Sequence, residues 1–288
     1  AATTRPARDV RRMARDAGRG ARVAGESRSA PADPGACVGR AASRRDRRRG
    51  VLRRAIALGA LAFGPGTGGA ASPGTAGPGA TGRGATAPVA AGPDAALIDA
   101  AARGDAGEVS RLLRAGAGVG ARDASGRTAL LAATRGGHAG AARLLIEAGA
   151  DVNAQDAIRD SAFLLAGARG HVEILRMTIA AGADLKSRNR YGGTALIPAC
   201  HYGHVEAVRV LLETAIDVDH VNDLGWTALL EAVILGDGGP AHVEIVRMLL
   251  ARGARPSLPD RDGVTPLAHA RRRGQREIER LLVAAGAR

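Results

Sequence analysis

The fold is decided by five similar phrases: TALLAA at residues 128–133, SAFLLA at 161–166, TALIPA at 194–199, TALLEA at 227–232 and TPLAHA at 265–270. Their first residues lie 33, 33, 33 and 38 positions apart. A constant period of this length indicates a solenoid, in which each unit packs only against its neighbours. The spacing therefore predicts a stack of similar units over residues 94–288.

A second marker keeps the same register. His138, His171 and His204 are also 33 residues apart, and His242 follows after 38. Both markers lengthen in the same unit, so that unit carries a five-residue insertion at residues 237–241. The Gly-Gly-Pro sequence within the insertion predicts a loop.

The chemistry of each unit predicts two helices. The hydroxyl of the Thr or Ser that opens each phrase can cap a first helix by accepting from free backbone N–H groups. Val205, Val208 and Leu211 lie at helical spacing and predict the buried stripe of a second helix. Glycines stand where a left-handed residue would end that helix, at Gly149, Gly182, Gly253 and Gly286. Small residues would let neighbouring units approach closely, at Ala199, Ala232 and Ala270.

The pattern resembles the ankyrin repeat, whose unit has a turn with Asp or Asn and Gly, then TPLH, two alanines and Gly-His. The corresponding turns here begin at Asp123, Asp156, Asn189, Asn222 and Asp260. The resemblance implies an all-α solenoid of helix–turn–helix units joined by β-hairpin turns. Six units are expected, at residues 94–122, 123–155, 156–188, 189–221, 222–259 and 260–288, the first being a cap without the turn phrase.

The chain departs from the ankyrin pattern at several positions, and the consensus His after Thr-Pro-Leu is replaced in every unit that has the phrase. Arg159 replaces a turn glycine, and Pro198 lies just inside a first helix. Ala215 replaces a helix-ending glycine, which would cost about 1 kcal/mol if this residue were left-handed.

The N-terminal third differs from the repeats in charge. Residues 1–93 contain 17 Arg and 5 acidic residues and carry +12, whereas residues 94–288 contain 24 Lys and Arg against 23 acidic residues and carry +1. Residues 1–43 show no apolar periodicity and are expected to be a disordered basic leader or the product of a misassigned start. The repeats are nearly neutral, so the high overall charge does not predict nucleic-acid binding by the folded domain.

Residues 44–71 have the layout of a secretory signal. Arg48 and Arg49 resemble the twin-arginine export motif, and the apolar run Ala55–Phe63 follows them. That run is too short to cross a bilayer, which needs about 20 apolar residues, so no transmembrane segment is expected. The alternative is an arginine-rich disordered tail with an apolar patch. Residues 72–93, rich in Gly, Pro and Ala, are expected to be a flexible linker.

The ankyrin resemblance implies a protein partner that meets the hairpin tips and the concave face of the first helices. The tip positions carry Ile158, Arg190, Tyr191, Leu224 and Trp226, and the first-helix ends add His201, Tyr202, Ile234 and Leu235. Exposed aromatic residues and Arg are the usual energetic centres of interfaces, so these residues are the candidate binding surface. The alternative is that Tyr191 and Trp226 only pack along neighbouring hairpins.

No set of residues predicts catalysis or a cofactor. The four histidines of the repeated series lie one to a unit, too far apart for two of them to share a zinc ion. They are expected to form hydrogen bonds to the backbone at the turn between the helices. Cys200 and His201 are adjacent in a helix and so do not face each other. Glu231 within a first helix is expected to be buried and hydrogen-bonded.

The sequence therefore predicts a monomeric, non-catalytic protein-binding scaffold, without metal or small-molecule substrate, that is periplasmic or secreted. The alternative is a cytoplasmic adaptor whose arginine-rich tail contacts nucleic acid or an acidic surface.

Overall fold

The structure, a computed structural model, describes residues 92–288. The expected leader (1–43), the export signal (44–71, with Arg48 and Arg49) and the linker up to residue 91 lie outside the described residues. They remain predictions from the sequence. The first helix begins at Pro93, where the linker is expected to end.

The described residues form twelve helices. They are α1 Pro93–Arg103, α2 Ala106–Arg114, α3 Ala129–Gly136, α4 Ala139–Glu147, α5 Ala162–Arg169, α6 Val172–Ala180, α7 Leu196–His201, α8 Val205–Leu212, α9 Ala228–Ile234, α10 Pro240–Ala251, α11 Pro266–Arg273 and α12 Arg276–Ala284. Each unit contributes two of them, and the predicted all-α class is confirmed.

The helices are arranged in two rows. The first helices contact one another in chain order, α1 with α3, α3 with α5 and onward to α11, and the second helices do the same from α2 to α12. The small residues Ala199, Ala232 and Ala270 are fully buried, as their positions in the pattern predicted. Each unit thus covers the apolar surface of the next, which is how a solenoid obtains its core.

Hydroxyl caps begin four of the five first helices that follow a turn. Thr128, Ser161, Thr227 and Thr265 each accept a hydrogen bond from the backbone N–H three residues later. The predicted capping role is confirmed at these residues. Such a cap is worth about 1 kcal/mol because it satisfies an N–H group that the helix itself cannot.

Thr194 is the exception, and Pro198 explains it. A proline has no N–H to donate to the carbonyl four residues earlier. The N–H of Ile197 bonds the Thr194 carbonyl instead, at 3.3 Å, and α7 begins only at Leu196. The Thr194 hydroxyl is consequently buried without a hydrogen-bond partner.

Each turn is closed by the side chain of its first residue. The Asn222 carbonyl oxygen Oδ1 accepts from the N–H groups of Leu224 and Trp226, both at 3.0 Å. The equivalent residues of the other units, Asp123, Asp156, Asn189 and Asp260, make the same two bonds. These bonds close each turn within five residues, which is too short for a ladder of backbone hydrogen bonds between two strands. The expected β-hairpins are therefore tight turns. Among the described residues, β pairing is limited to an isolated bridge between Arg122 and Thr128.

The turn of unit three contains a strained residue. Arg159 stands at the turn-glycine position with φ +62°. It is the one non-glycine residue of the described chain with a positive φ. This conformation costs a residue with a side chain about 1 kcal/mol relative to glycine.

The second helices end in two ways. Gly149, Gly182, Gly253 and Gly286 adopt a positive φ, as predicted. Ala215 does not, because the Thr214 hydroxyl donates to the Leu211 carbonyl at 2.6 Å and accepts from the Ile216 N–H at 3.2 Å. The hydroxyl thereby replaces the direct backbone bond that closes the equivalent helix ends.

The insertion does not form a free loop over its whole length. Pro240 and Ala241 belong to α10, which is extended by one turn at its N-terminus. The Asp237 carboxylate accepts from the Gly239 N–H and contacts Nδ1 of His242, both at 2.8 Å. The loop prediction is therefore wrong for the last two inserted residues, because proline suits the first turn of a helix.

Candidate functional site

Two members of the histidine series, His138 and His242, bond successive units together, whereas Nε2 of His171 is buried without a hydrogen-bond partner. Nε2 of His138 lies 3.1 Å from the Ala102 carbonyl oxygen, and Nε2 of His242 lies 2.9 Å from that of His201. In the last unit Gln275 takes the histidine position and donates to the Val233 carbonyl at 3.2 Å. The predicted structural role of the series is confirmed at His138 and His242. Within residues 92–288, no three His, Cys, Asp or Glu side chains lie together as a metal site would need.

The predicted binding residues converge most clearly at the end of α7. The rings of His201 and Tyr202 stack with centroids 4.2 Å apart and an angle of 9° between their planes. Tyr202 is 36 % exposed. Burial raises the pKa of its phenol, as do the negative charges of Glu231 and Tyr191, whereas Arg190 and Arg169 oppose the rise. Tyr202 therefore lies among ionisable groups from units three to five.

Arg190 and Tyr191 belong to the turn of unit four. The Arg190 guanidinium lies 4.9 Å from the centroid of the Tyr191 ring, within the range of a cation–π contact. Tyr191 is half-buried, and its carbonyl oxygen accepts from the N–H of Asp223 in the next turn. Neighbouring turns are thus joined by a backbone hydrogen bond beside this side chain.

The remaining predicted residues divide by exposure. Ile158 is 42 % exposed, and Leu224 and Leu235 are partly exposed. Trp226 is only 5 % exposed and Ile234 only 3 %, so the expectation that these two lie on the surface is wrong. Trp226 closes its turn because its N–H donates to Oδ1 of Asn222 and its carbonyl accepts from the Asn222 N–H. Ile234 ends α9, a helix whose seven residues are all buried.

A group of arginines was missed in the sequence. Nη2 of Arg135 lies 3.6 Å from the Asp156 carboxylate, and Nη1 of Arg190 lies 3.8 Å from that of Asp160. Burial raises the pKa of Asp160, against the attraction of Arg190, Arg135 and Arg169. Burial also lowers the pKa of Arg169, and the positive charge of Arg135 adds to that effect. We call Arg135, Arg169 and Arg190 the arginine cluster.

A signal for two members of the cluster exists in the sequence. Arg135 follows Thr128 by seven residues and Arg169 follows Ser161 by eight, which are the offsets of His201 and Tyr202 from Thr194. The predicted binding surface includes first-helix ends from units four and five alone, so neither arginine belongs to it. Applying the same offsets to every unit would have identified both arginines.

The buried Glu231 and the partly exposed His201 form a polar pair beside this surface. The Glu231 carboxylate accepts from the Asn222 amide at 3.1 Å, and its Oε2 lies 3.5 Å from Nδ1 of His201. Burial raises the pKa of Glu231 to about 8, and burial lowers that of His201 to about 4. Near neutral pH neither side chain is therefore charged. Cys200 is fully buried, and burial raises the pKa of its thiol well above the ordinary value, which disfavours a reactive thiolate.

No helix among residues 92–288 combines the length and apolarity required to cross a membrane.

Comparisons with known proteins agree with the architecture. The family model for ankyrin repeats (3 copies) matches residues 86–156 and 163–260. A putative ankyrin repeat protein of Escherichia coli K12, YahD, is 54 % identical over 57 residues, which are 20 % of this chain and 28 % of that protein. The chain therefore spans little more than a quarter of that curated relative.

Solved structures match over a longer range. An ankyrin repeat domain from Acinetobacter baumannii AYE is 58 % identical, with a TM-score of 0.65, over 67 % of this chain and 98 % of that one. The ankyrin repeat domain of Bcl-3, a member of the IkappaB protein family, is 30 % identical, with a TM-score of 0.60, over 67 % and 86 %. The repeat period, the capped helix pairs and these matches agree, and the chain belongs to the ankyrin repeat family.

Proposed function

We propose that the repeat domain is a non-catalytic scaffold that binds another protein through its turn tips and the exposed ends of its first helices. Ankyrin repeats are generally protein–protein interaction domains, and their fold is typically a non-enzymatic scaffold. The observation that carries the proposal is Tyr202, an exposed aromatic ring stacked on His201 at the end of α7. The fully buried Ala199 and Cys200 already fill the core there, so packing does not require an aromatic residue.

The proposed binding face contains the candidate residues that solvent reaches. They are Ile158, Arg190, Tyr191, His201, Tyr202, Leu224 and Leu235. Trp226 and Ile234 support this face from within the stack and are not expected to touch the partner. A rigid scaffold that presents a few aromatic and arginine side chains is the usual arrangement of an interaction hot spot.

Site-specific photo-crosslinking tests this proposal directly. A photoreactive phenylalanine analogue would be introduced separately at Tyr202, at Ile158 and at Arg209. Arg209 lies on the second helix α8 and serves as the control. We expect covalent adducts with the same protein from the native cells at the first two positions and not at the third. Adducts that form only at Arg209 would place the interface on the opposite row of helices.

A double substitution complements the crosslinking. Tyr202→Ala with Ile158→Ser should abolish capture of the crosslinked protein while leaving the helical circular dichroism spectrum unchanged. The control is Arg143→Ala with Arg247→Ala, which alters two exposed second-helix residues. Capture that survives the first pair of changes would exclude the proposed face.

We further propose that the chain is exported by the twin-arginine route and works outside the cytoplasm. Arg48, Arg49 and the apolar run after them support this proposal. Mass spectrometry of the mature N-terminus should show cleavage near Ala71. An intact N-terminus in the cytoplasmic fraction would favour the alternative, an adaptor whose basic tail contacts nucleic acid or another acidic surface.

A further inference from the structure

We propose that Arg159 and Arg188 together bind an acidic segment of the partner protein. The inference rests on the proposed function and specifies the chemistry of the partner. Arg159 lies in the turn of unit three and Arg188 at the end of that unit, and both residues are exposed. Neither side chain has an ion pair or a hydrogen bond to another residue within the described range 92–288. We call these two residues the exposed arginine pair.

Gln155 holds the backbones of the exposed arginine pair side by side. Its amide nitrogen Nε2 donates to the Arg159 carbonyl and to the Arg188 carbonyl, each at 2.9 Å. Two hydrogen bonds from one nitrogen keep the two carbonyl oxygens close to each other. The two arginines therefore start from neighbouring points of the backbone, although they lie far apart in the sequence.

The Arg188 side chain does not perform the role that its position has in earlier units. Arg122 and Gln155 also stand just before a turn, and each donates to a carbonyl of that turn and to a carbonyl of the next unit. In the turn after Arg188 the corresponding carbonyl is that of Gly192, and Nε2 of His220 lies 2.7 Å from its oxygen. Because His220 makes this bond, the Arg188 guanidinium can contact a group outside the chain.

Arg159 has a backbone conformation that costs stability. Its φ of +62° lies in the left-handed region. The other turns have a glycine with positive φ at this position, namely Gly126, Gly192, Gly225 and Gly263. A glycine would adopt the same backbone without strain. An arginine in a strained backbone, without an ion pair inside the described repeats, is therefore a candidate for a functional contact.

The carboxylates nearest to Arg159 in the chain have arginine partners of their own. The Asp156 carboxylate lies 3.6 Å from Nη2 of Arg135, and the Asp160 carboxylate lies 3.8 Å from Nη1 of Arg190. Oδ1 of Asp156 also closes the turn by accepting from the Asp160 N–H at 3.0 Å. These two acidic residues thus leave the charge of Arg159 for a carboxylate from outside.

The chain around Arg188 adds positive charge. Residues 186–190 include Lys186, Arg188 and Arg190 and contain no acidic residue. Lys186 is exposed. The preceding carboxylate, Asp184, accepts from the Lys186 N–H at 2.9 Å and so closes its own turn. An acidic segment would consequently meet positive charge from both the turn and the end of unit three.

The exposed arginine pair adjoins the proposed binding face. Ile158 precedes Arg159 in the turn and is 42 % exposed. A partner segment with carboxylates on the pair can therefore place an apolar side chain against Ile158. A nucleic acid fits less well, because phosphate chains bind to extended rows of cations and residues 94–288 carry only +1 in total.

A peptide selection with the full chain tests the inference. The immobilised 288-residue protein would be used to select from a library of displayed random peptides. We expect the enriched peptides to share Asp or Glu residues next to an apolar residue. A synthetic copy of the best peptide, with its acidic residues changed to the corresponding amides, should bind about tenfold more weakly by calorimetry.

Matched variants locate the contact on the protein. Arg159→Gln with Arg188→Gln should weaken binding of the peptide by about tenfold. Arg143→Gln with Arg247→Gln is the control, because it removes the same charge from two exposed arginines of the second helices. The control should bind the peptide as the wild type does.

Arg159→Gly separates binding from folding. It should weaken peptide binding by about threefold, the effect of losing one exposed charge pair. It should also raise the urea midpoint of unfolding, because glycine relieves the strain at φ +62°. A more stable variant that binds as tightly as the wild type would overturn the inference. Weaker binding with a lower midpoint would show a structural role for Arg159 and would overturn it as well.

The remaining outcomes separate the inference from the proposed function. Acidic peptides that bind the Arg159→Gln, Arg188→Gln variant as tightly as the wild type would place their site elsewhere, for example in the arginine-rich residues 1–93, and would overturn the inference. Enriched peptides without acidic residues, whose binding is lost in Ile158→Ser, would overturn the inference and leave the proposed function in place. Failure to enrich any sequence would count against both. Tighter binding of an oligothymidine, lost on the same arginine substitutions, would overturn the inference in favour of a nucleic-acid site.

Discussion

Oε2 of Glu231 lies 3.5 Å from Nδ1 of His201, although the two residues belong to successive units and to different helices. The Glu231 side chain is 8 % exposed and that of His201 is 20 % exposed, and burial opposes the charged form of each. Their pKa values therefore move in opposite directions, to about 8 for Glu231 and to about 4 for His201. The pair is uncharged between these values.

This pair should make stability depend on pH. Glu231 ionises near 4.5 in the unfolded chain and near 8 in the folded one, so its contribution is complete below pH 4.5 and is lost as the pH rises to 8. His201 acts oppositely, and its contribution is lost as the pH falls from 6.5 towards 4. Between pH 6.5 and 8 the wild-type free energy of unfolding should therefore fall more steeply than that of Glu231→Gln. Urea unfolding at several pH values measures both slopes.

The control for the pH experiment is Glu206→Gln, which changes an exposed carboxylate of α8. This variant should retain the wild-type slope. Parallel curves for wild type and Glu231→Gln would contradict the shifted pKa of Glu231.

Arg159→Gly should stabilise the protein by about 1 kcal/mol, because it removes a side chain from a backbone with φ +62°. Ala215→Gly is the informative comparison, since the ankyrin pattern has glycine there as well. Ala215 has no positive φ, so glycine should relieve no strain in the folded state. It should instead raise the conformational entropy of the unfolded chain and thereby lower the free energy of unfolding. Thermal unfolding distinguishes the two variants. Equal gains from both substitutions would show that the pattern, rather than the local backbone, determines the effect.

Thr214→Val should destabilise the protein by about 1 kcal/mol, because the hydroxyl joins the Leu211 carbonyl to the Ile216 N–H. Thr214→Ser keeps that hydroxyl and should remain close to wild type. Arg252 donates to the Leu212 carbonyl at 3.0 Å and to the Thr214 carbonyl at 3.2 Å, so the helix end also depends on the next unit. Urea midpoints give the comparison, and a valine variant as stable as the serine variant would exclude the bridge.

Pro198→Ala should stabilise the protein by about 1 kcal/mol, because alanine can donate to the Thr194 carbonyl. Ile197 would then be free to donate to the Thr194 hydroxyl, which is buried without a partner. The gain from Pro198→Ala should be smaller when it is measured in a Thr194→Val background than when it is measured in the wild-type protein. A gain of the same size in both would mean that the cap does not form.

His138→Ala should destabilise the junction between units one and two by about 1 kcal/mol, since it removes the bond to the Ala102 carbonyl. His138→Gln should cost less, because Gln275, at the histidine position of the last unit, donates its amide to the Val233 carbonyl of the preceding unit. Hydrogen exchange of the α1 and α2 amides locates the effect. Identical exchange in both variants would show that packing of the ring, rather than its hydrogen bond, is what matters.

Local chemistry made most of the scaffold predictable. The capping hydroxyls, the turn-opening Asp or Asn residues and the helix-ending glycines act on backbone groups within a few positions of themselves, so each can be recognised in a single unit. The period of 33 then repeats the assignment along the chain. Pro198 could be recognised as a departure, but its consequence for the Thr194 hydroxyl depends on which N–H groups remain available.

Contacts between units were harder to infer. Trp226 occupies a turn position where Arg127 and Gly193 stand in other units, and that position does not reveal that the tryptophan is buried. The arginine cluster combines residues of three units, and no single unit shows it. The bonds of the Thr214 hydroxyl were also not predicted, because the ankyrin pattern indicates a left-handed residue at position 215 and not a side-chain hydrogen bond at this helix end.

The turns have a consequence for how such a chain can change over evolutionary time. In the turn of unit five the Asn222 side chain binds the N–H groups of Leu224 and Trp226, whereas the side chains of Asp223 and Leu224 take no part in those two bonds. Mutation can therefore exchange the residues at the tips without altering the frame that carries them. A lineage could in this way acquire a new partner by single substitutions, while the stability of the stack stays under separate selection.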